Sequence, residues 1–504
     1  MSGQGLVMMG AGLLLGAGLL QRSQVPAAPA RTTAPSSVAP AAPPAARSEV
    51  LALAQAPSKK GSLNVKSVGA RGDGVTDDAP ALNRAAAQAA GRDLVFPAGT
   101  YLIRSPVVFS NFSNQTVSGE GGATIRAAPN YARGKTEGML HFDRPVNLTV
   151  RGLKIVGHRV PVASAYASVI DGVRVVRGKN VTLSGLQVFD APTNGIAVTD
   201  TDTVTLQGNR MENAGGAGGW SQRTVHQRWL DNTVVGGGDP RVRPSGLGFF
   251  ATIGDDFLAE GNVVKNVANT ATKTEGVDHV VYRNNTVDVF GKDGIKIMPY
   301  DGHDTSVEGA LVEGNTIRAR RDWASDGSAY ILLHSVQGGQ VRRNRIVGTG
   351  GQPEVYSEDA IKVNTWRTGP PSRDIVLEDN EVSDTRRGIR IEADNVVMRR
   401  NQITGRQPWA RTAVIVGANG VVISDNRIDG PAIGVLLDRG YGRTRIENNR
   451  FDHVDTAVYA DNDNPAVTVD HNQFGAEVRK AVSGRVAGDC NFFNTAECRA
   501  GGGQ

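Results

Sequence analysis

Polar side chains recur at matching positions in a series of short apolar–polar alternations, and several of them could bind or move charge. Side chains of a strand point alternately to opposite faces, so aligning the inward apolar residues shows which positions point outward. The aligned inward residues are Ile196, Phe249, Ile295, Ile331, Ile361, Ile389, Val414, Val435 and Val458. The outward positions in the middle of the series are Lys296, His334, Lys362, Asn364, Arg390 and Glu392. We predict that these six side chains, which we call the polar strip, lie together on one face.

The residue types of the polar strip suit chemistry on an acidic sugar. Cationic side chains can pair with the carboxylates of uronate residues. A lyase or an epimerase removes a proton next to such a carboxylate, so it needs a base and a cation that neutralises the developing charge. The candidates for the base or the acid are His303, His334 and Tyr300. The candidates for neutralising and binding the substrate are Lys296, Lys362 and Arg390, with Asn364 beside them.

Carboxylates near the strip leave two other chemistries open. A glycoside hydrolase needs two carboxylates, one on each side of the scissile bond. The candidates for that pair are Asp301, Asp304, Asp359 and Glu392. A calcium-assisted lyase also stays open, because Asp301, Asp304 and Glu354 could together hold a hard cation. The residues indicate no other cofactor.

Aromatic side chains are concentrated in the loops beside the strip, although aromatics make up only 5% of the chain. Tyr, Trp and Phe offer large apolar contact areas to a ligand. We predict that the loops bring four of them to the substrate: Tyr300, Trp323, Tyr356 and Trp366. Loops on a rigid scaffold commonly carry function. The sequence therefore predicts a working groove from about Asp293 to Glu392.

A sequence repeat indicates which strands and turns must position these residues. A pattern of the form apolar-x-polar-(Gly/Asn/Asp/Arg)-Asn-x-(Ile/Val) recurs at Asn209, Asn232, Asn262, Asn285, Asn315, Asn344, Asn380, Asn401, Asn426, Asn449 and Asn472, with Leu153 and Leu186 at the same place in two earlier copies. Most successive copies are 21 to 25 residues apart, and four middle intervals are longer. Such a period indicates stacked units, and the alternations indicate short strands. We predict a parallel β-helix in which these asparagines turn the chain and form a structural ladder.

The composition is compatible with one elongated repeat domain. The chain has 504 residues, including 62 glycines, and a formal net charge of +5. A solenoid can use this length because its core grows along its axis. The mild positive charge permits a polyanionic partner. We expect no nucleic-acid partner, because the sequence has no zinc finger, RNA-binding signature or basic tail. We expect a monomer.

The N-terminal residues resemble an export signal. An uncharged apolar run at 5–20 is too short for a typical membrane span. An Ala/Pro/Ser/Arg stretch that contains Ala28-Pro29-Ala30 follows it. We predict a secreted, periplasmic or cell-surface protein that touches the membrane only if the N-terminal segment is retained. The expected regions are a signal peptide or anchor at 1–30, a disordered linker at 31–62, the β-helix at 63–485, and a C-terminal cap and tail at 486–504.

The two cysteines lie close together near the end of the chain. Cys490 and Cys498 are eight residues apart. In an exported chain such a pair suggests a small disulfide loop. We predict that they form a disulfide.

The segment before the repeat resembles the N-terminal segment of the pectate-lyase-like superfamily. The resemblance rests on VGARGDGVTDD at 68–78, an alanine-rich helix to about residue 90, and LVFPAGTY at 94–101. It implies an all-β, right-handed single-stranded parallel β-helix with an N-terminal capping helix. The superfamily includes rhamnogalacturonase-like hydrolases, alginate C5-epimerases and phage tailspikes. Asp73, Asp77 and Asp78 are interpreted as structural, with Asp77 or Thr76 capping the helix.

The resemblance extends weakly to motifs of individual activities. Gly302-His303-Asp304 and Gly388-Ile389-Arg390 are similar to parts of the polygalacturonase-like motifs. Tyr300-Asp301-Gly302-His303 is similar to the epimerase pattern of a Tyr followed by Asp-Pro-His. We predict a carbohydrate-active enzyme, a lyase, hydrolase or C5-epimerase, acting on an acidic polysaccharide. A non-catalytic surface or binding β-helix is the alternative, since the fold hosts both kinds of protein.

Overall fold

Short strands rich in Val, Ile and Leu stack in parallel, coil upon coil, and form a right-handed parallel β-helix. The computed structural model describes residues 61–89, 91–131, 136–159, 169–238, 246–300, 305–318, 329–348, 359–367, 369–405, 410–438, 443–460, 466–484, 486–488, 491–493 and 498–499. The predicted fold class is therefore confirmed. Each complete coil contributes strands to three faces, which we call faces A, B and C, and apolar side chains from all three fill the interior.

The strands of each face are as follows. Face A contains Val107–Ser110, Thr136–Asp143, Val169–Val176, Ile196–Thr199, Ile295–Met298, Ala329–His334, Asp359–Asn364, Arg387–Ile391, Thr412–Val416, Ile433–Leu437, Thr456–Ala460 and Lys480–Ser483. Face B contains Ser62–Asn64, Asp93–Phe96, Ser113–Gly119, Val146–Arg151, Lys179–Ser184, Asp202–Gln207, Val307–Glu313, Val336–Arg342, Arg373–Glu378, Val397–Arg399, Val422–Ser424, Arg445–Glu447 and Thr468–Asp470. Three long strands, Ala217–Leu230, Leu247–Glu260 and Thr272–Arg283, run through both faces.

Face C closes each coil with a short strand. Its strands are Asp73–Asp77, Thr100–Ile103, Thr124–Ala127, Lys154–Val156, Gln187–Phe189, Arg210–Glu212, Thr233–Val235, Val263–Val267, Thr286–Phe290, Thr316–Arg318, Arg345–Val347, Glu381–Ser383, Gln402–Thr404, Arg427–Asp429, Arg450–Asp452, Gln473–Phe474 and Asn491–Phe493. Cys498–Arg499 pairs antiparallel with the last of these. Cys490 lies outside the described residues, so its pairing with Cys498 stays a prediction.

The inward column of face A follows the predicted alignment and adds two coils to it. The paired positions run Ile196, Gly219, Phe249, Thr272, Ile295, Ile331, Ile361, Ile389, Val414, Val435 and Val458. The alignment omitted Gly219 and Thr272, because neither is a large apolar residue. Phe249 and Trp229 pack around the position of Gly219, where an added Cβ would lie 3.0 and 3.2 Å from their rings.

The predicted asparagine ladder is present between faces B and C. Each asparagine from Asn209 to Asn449 donates both its backbone N–H and its side-chain Nδ2 to the Oδ1 of the next one along the axis. Asn401, for example, lies 2.8 Å (N) and 3.0 Å (Nδ2) from Oδ1 of Asn426. Its Nδ2 also donates to the carbonyl of Leu377 at 2.8 Å. The side chains are almost fully buried, so the ladder satisfies polar backbone groups that no water reaches.

The helix before the β-helix spans Ala79–Gln88, and its acidic neighbours are structural, as predicted. Asp77 accepts a hydrogen bond from the N–H of Ala79, the first helical residue, at 3.2 Å. The buried carboxylate of Asp78 accepts from the N–H groups of Arg71 and Gly72. Backbone N–H donors of Thr76 and Val75 lower the pKa of Asp73 to about 2. Among the described elements, none is a helix of the length and apolarity that a membrane crossing needs.

The ladder predicts a large stability effect for a single amide. Asn401→Leu should lower the melting temperature, because the backbone N–H of Asn380 loses its acceptor and the carbonyl of Leu377 loses its donor. Each buried unpaired group costs about 1–3 kcal/mol. Differential scanning calorimetry would measure the effect. Gln402→Leu, an exposed amide next in the chain, is the matched control. Equal melting temperatures for the two variants would contradict the ladder's role.

Candidate functional site

The register of face A brings cations into one outward column. The paired positions run Trp220, Phe250, Lys273, Lys296, Leu332, Lys362 and Arg390. A second outward column lies two residues further along each strand. Its paired positions are Gln222, Thr252, Glu275 and Met298, and, in the next two coils, His334 paired with Asn364. The N–H of Glu392 donates to the carbonyl of Val363, which places Glu392 directly after its strand. The six residues of the predicted polar strip thus occupy neighbouring coils of one face.

Lys296 is the most buried cation of the strip. Only 7% of its surface is exposed. Its Nζ lies 3.7 Å from a carboxylate oxygen of Asp293 and 5.4 Å from the centre of the Trp366 ring. Burial lowers the pKa of Lys296 from its ordinary value, and the nearby charge of Lys273 acts in the same direction, whereas Asp293 opposes the shift. A lysine held in this way is a candidate base.

His334 shares the Trp366 ring with Lys296. The His334 and Trp366 ring centres are 4.9 Å apart. Burial lowers the pKa of His334 to about 3, and the positive charge of Lys296 contributes to the shift. The neighbouring side chain of Asn364 acts in the opposite direction and raises the pKa of His334. Even so, neither His334 Nδ1 nor Asn364 Oδ1 has a hydrogen-bond partner of good geometry. His334 is therefore a neutral imidazole at ordinary pH, with a ring nitrogen that a ligand could engage.

The loop after Asp359–Asn364 holds Trp366 in this position. The backbone N–H of Trp366 donates to the hydroxyl of Ser335, which is fully buried, at 2.9 Å. The hydroxyl of Ser372 accepts from the N–H of Val336 and donates to the carbonyl of Asn364. Two buried hydroxyls therefore fasten the loop to the preceding coil. Within the loop, the guanidinium carbon of Arg367 lies 5.0 Å from the centre of the Trp366 ring.

The distal end of the strip is a network of paired charges. Arg390 donates to Glu392 at 3.0 Å, and Lys362 lies 3.9 Å from the same carboxylate. The buried Asp359 lies 2.7 Å from Arg387 and 3.4 Å from Arg390. The cations Lys362 and Arg390 are each about one fifth exposed. They remain accessible enough to meet an anionic ligand while the carboxylates hold them in place.

The remaining predicted site residues are Tyr300 and a group that lies outside the described part of the chain. Tyr300 follows the strand Ile295–Met298 and lies against the backbone of Gly276 in the preceding coil, where an added Cβ would be 2.7 Å from the Cβ of Tyr300. The predicted residues outside the described ranges are Asp301, His303, Trp323 and Tyr356, together with Asp304 and Glu354 of the proposed calcium set. Within those ranges, no three His, Cys, Asp or Glu side chains form a group that could hold a metal ion.

The alignment of the outward columns from the sequence omitted four residues. Trp220, Gln222, Lys273 and Glu275 belong to the two coils whose inward residues are Gly219 and Thr272. Lys273 lies 2.9 Å from Glu275 and 4.9 Å from the centre of the Phe250 ring. The asparagine repeat could have located them, because a strand of face A must occur between each pair of successive asparagines.

Comparison with known proteins agrees with this architecture. Residues 62–296 match the family described as rhamnogalacturonase A/epimerase, pectate lyase-like, and residues 329–483 match the right-handed β-helix region. The chain is similar to PfbA, a surface adhesin of Streptococcus pneumoniae, with 13% identity, coverage of 85% of this chain and 94% of that one, and a TM-score of 0.40.

Two further solved structures are similar at comparable levels. A family 28 exopolygalacturonase of Yersinia enterocolitica has 13% identity and a TM-score of 0.41, and the match covers 87% of this chain and 78% of that one. The A-module of a mannuronan C-5 epimerase of Azotobacter vinelandii has 17% identity and a TM-score of 0.32, and the match covers 86% of this chain and 100% of that one.

The buried imidazole predicts a pH-dependent loss of stability. Between pH 6.5 and about 3 the unfolded chain binds a proton at His334 that the folded chain does not, so the folded state loses stability as the pH falls through this window. His334→Gln should reduce the fall in the free energy of unfolding between pH 7 and pH 5 by up to about 2 kcal/mol, which thermal melts at the two pH values would show as a smaller fall in melting temperature. His471→Gln, at an exposed histidine, is the control. The same pH dependence in the parent and in His334→Gln would show that the ring is not held neutral.

Proposed function

We propose that this chain, which belongs to the pectate-lyase-like superfamily of right-handed parallel β-helix proteins, acts on an acidic, uronate-containing polysaccharide. The proposed reaction is removal of the proton next to a uronate carboxylate, as in a lyase or a C5-epimerase. The observation that carries the proposal is the position of Lys296. It is a buried amine with a lowered pKa, in the middle of a column of cations.

The charges of the strip support an anionic polymer as the substrate. Lys273, Lys296, Lys362 and Arg390 lie in one column, on coils about 4.8 Å apart. A polymer that runs along the axis would place successive sugar residues over successive coils. Charge-assisted hydrogen bonds from the exposed parts of Lys362 and Arg390 would hold its carboxylates. The family description, which names a rhamnogalacturonase, an epimerase and pectate lyase, supports the same substrate class.

The proposed roles follow from the protonation states. Lys296, in its neutral form, accepts the proton from C5 of the uronate, and the electron pair moves into the carboxylate. Lys362, the nearer of the two distal cations, stabilises the negative charge that develops there, and Arg390, three coils from Lys296, binds the carboxylate of a neighbouring sugar residue. In a lyase the bond from C4 to the glycosidic oxygen then breaks as the C4=C5 double bond forms, and the leaving oxygen takes up a proton from protonated Lys296 or from water. In an epimerase C5 takes up a proton from water on the opposite face. His334 stays neutral and can hydrogen-bond a sugar hydroxyl, so we assign it substrate binding rather than the role of the base.

The described carboxylates give less support to hydrolysis. A hydrolase needs two carboxylates that face each other across the scissile bond, one of them protonated. In the part of the strip that the structure describes, the carboxylates contact cations instead: Glu275 contacts Lys273, Asp359 contacts Arg387, and Glu392 contacts Arg390. These pairs fix the cations in place and do not form an acid–base pair.

Export is part of the proposal, because an extracellular polysaccharide has to be reached outside the cytoplasm. The apolar run at 5–20 and the Ala/Pro-rich stretch after it support a secreted, periplasmic or cell-surface location. Cell fractionation would test the location. Binding of acidic polysaccharide without any turnover would favour the alternative of a non-catalytic binding β-helix.

Binding should depend on the distal cations. Lys362→Ala should weaken binding of polygalacturonate or alginate by about tenfold, since one charge-assisted contact is lost. In the parent, added salt should weaken binding steeply, and the variant should be less sensitive to it. Isothermal titration calorimetry at several ionic strengths would measure both effects.

The matched control removes the same charge from another face. Lys265 is exposed in the strand Val263–Val267 of face C, and Lys265→Ala should bind like the parent. If Lys265→Ala and Lys362→Ala weaken binding equally, net charge rather than the strip holds the polymer, and the proposed site is wrong.

Turnover should follow the ionisation of Lys296. Activity should rise with pH through the pKa of Lys296, which lies below the ordinary lysine value of 10.5. Lys296→Ala should lower kcat by about a hundredfold or more. Lys296→Arg keeps the positive charge but has no accessible neutral form, so it should be inactive yet still bind the polymer. Retained activity in Lys296→Arg would rule out Lys296 as the base.

A further inference from the structure

We propose that face B docks a second copy of this chain, with the two solenoids antiparallel and related by a two-fold axis that lies between them and crosses both. A dimer of this kind departs from the expectation of a monomer, and it does not depend on the proposed function. Two neighbouring outward columns of face B carry the proposal. One is apolar, the other alternates in charge, and both become complementary to themselves when one copy is reversed.

An outward column of face B changes from hydroxyl to apolar side chains along the axis. In four earlier coils it carries Thr116, Thr149, Thr182 and Thr205. Further along, its half-buried paired positions are Leu258, Val281, Leu311, Gln340, Val376, Val397 and Val422. We call the six apolar members the apolar strip. A sheet face that meets only water carries polar side chains at these positions, so a contiguous apolar strip indicates a surface that another molecule covers.

The edge of the apolar strip beside face C is free of loops. Only two residues separate each of its strands from the next strand of face C, as Gly314 and Asn315 do between Glu313 and Thr316. A partner can therefore approach the strip from that side.

Gln340 interrupts the apolar strip near its middle. Its side-chain oxygen is buried and has no hydrogen-bond partner in the described part of the chain. An acceptor left unpaired in this way costs free energy. A donor from a second molecule, such as the amide of the same residue in a second copy, would satisfy it.

Beside the apolar strip, two residues further along each strand, the charges alternate in sign. The paired positions run Glu260, Arg283, Glu313, Arg342, Glu378 and Arg399. We call these six residues the ion-pair column. Within the chain, each glutamate contacts the arginine that follows it, at 3.0, 3.1 and 2.8 Å in turn. The column is neutral as a whole, so it can enter an interface without leaving an uncompensated charge.

Reversal of direction makes the ion-pair column complementary to itself. A two-fold axis that passes between the coils of Leu311 and Gln340 brings opposite charges face to face. The facing pairs are Glu260 with Arg399, Arg283 with Glu378, and Glu313 with Arg342 of the second copy. The contact is isologous, so each pair occurs twice. A parallel arrangement would separate the two ion-pair columns, so the charge pattern selects the antiparallel one.

The apolar strip fits the same axis. Leu258 comes to lie opposite Val397 of the second copy, and Val281 opposite Val376. On the far side of the strip the two central coils carry Gly309 and Gly338, both with positive φ, so no side chain holds the copies apart there.

The corner with face A adds one favourable and one unfavourable pair. Asp278 meets Arg373 of the second copy, which is an attractive contact. Asp255 meets Asp394 at the outer end of the interface, where water and salt screen the like charges. The axis keeps the corners between faces A and B of both copies on one side, so both faces A stay uncovered.

The size of the contact is sufficient for a specific dimer. Six coils and six residues of each strand give a patch of roughly 29 by 20 Å, or about 580 Å² on each copy. The two copies together bury about 1,200 Å², at the lower end of the range for specific interfaces. We therefore expect a reversible dimer rather than a permanent one.

Sedimentation velocity of the full-length protein at about 1 to 100 µM tests the dimer. The parent should show a monomer–dimer equilibrium. Val281→Asp places an unpaired carboxylate in the interface twice and should weaken dimerisation about a hundredfold or more. Val263→Asp makes the same change at a half-buried outward valine of face C and should dimerise like the parent. Melting temperatures establish that each variant is folded, and Val397→Asp serves if Val281→Asp is not.

A charge exchange tests the direction of the two copies. Arg399→Glu should weaken dimerisation about tenfold, because like charges then face each other at both ends of the interface. The double variant Glu260→Arg/Arg399→Glu should restore dimerisation, although the contacts with Arg283 and Glu378 within each chain stay broken. A purely structural role of these charges within one chain predicts no such rescue.

Three results would overturn the proposal. A parent that is monomeric at every concentration would mean that another partner or the N-terminal segment covers the apolar strip. A dimer that Val281→Asp leaves unchanged would mean that the copies meet through another surface. Dissociation by Val281→Asp without rescue in the double variant would contradict the antiparallel arrangement.

Discussion

From Asn209 to Asn472, successive coils are held in register by buried asparagine amides between faces B and C. Each Oδ1 accepts two hydrogen bonds from the preceding asparagine, so a shift of one residue would break several buried contacts at once. Because side chains alternate along a strand, the same shift would turn the apolar interior outward. The ladder therefore fixes, from the opposite side of the solenoid, which side chains of face A stand above one another.

Stacking in register has an electrostatic consequence. Equivalent outward positions are about 4.8 Å apart, so cations on successive coils repel one another. The structure offsets this with carboxylates, of which Asp293 and Asp359 are fully buried and Glu275 and Glu392 lie in the second column. Burial and the remaining positive potential lower the pKa values of Lys296 and His334. The reactivity that we assign to Lys296 thus arises from the repeat itself.

The sequence predicted the fold and much of the strip, because both depend on periodic patterns. The asparagine positions and the inward column of Ile and Val residues could be read directly, and the six strip residues followed from alternation. Trp220 and Lys273 were missed because Gly219 and Thr272 interrupt the apolar pattern. At Gly219 the rings of Phe249 and Trp229 fill the interior instead.

Roles were harder to predict than positions. His334 was a candidate base by residue type, but its burial beside Lys296 and Trp366 depends on a loop that Ser335 and Ser372 fasten to the preceding coil. Lys296 was predicted only to bind and neutralise, since no sequence pattern shows how deeply a lysine is buried. Tyr300 was grouped with the strip by proximity in sequence, and it lies against Gly276, which directly follows Glu275 of the second column.

The most direct test of the central claim follows the proton that Lys296 is proposed to remove. A uronate polymer labelled with deuterium at C5 would be incubated with the parent and with Lys296→Ala, and the release of label into water would be measured by NMR. We predict that the parent releases the label, whether the product is cleaved or epimerised, and that Lys296→Ala does not. Shortening of the polymer with the label fully retained would show hydrolysis and would contradict the account.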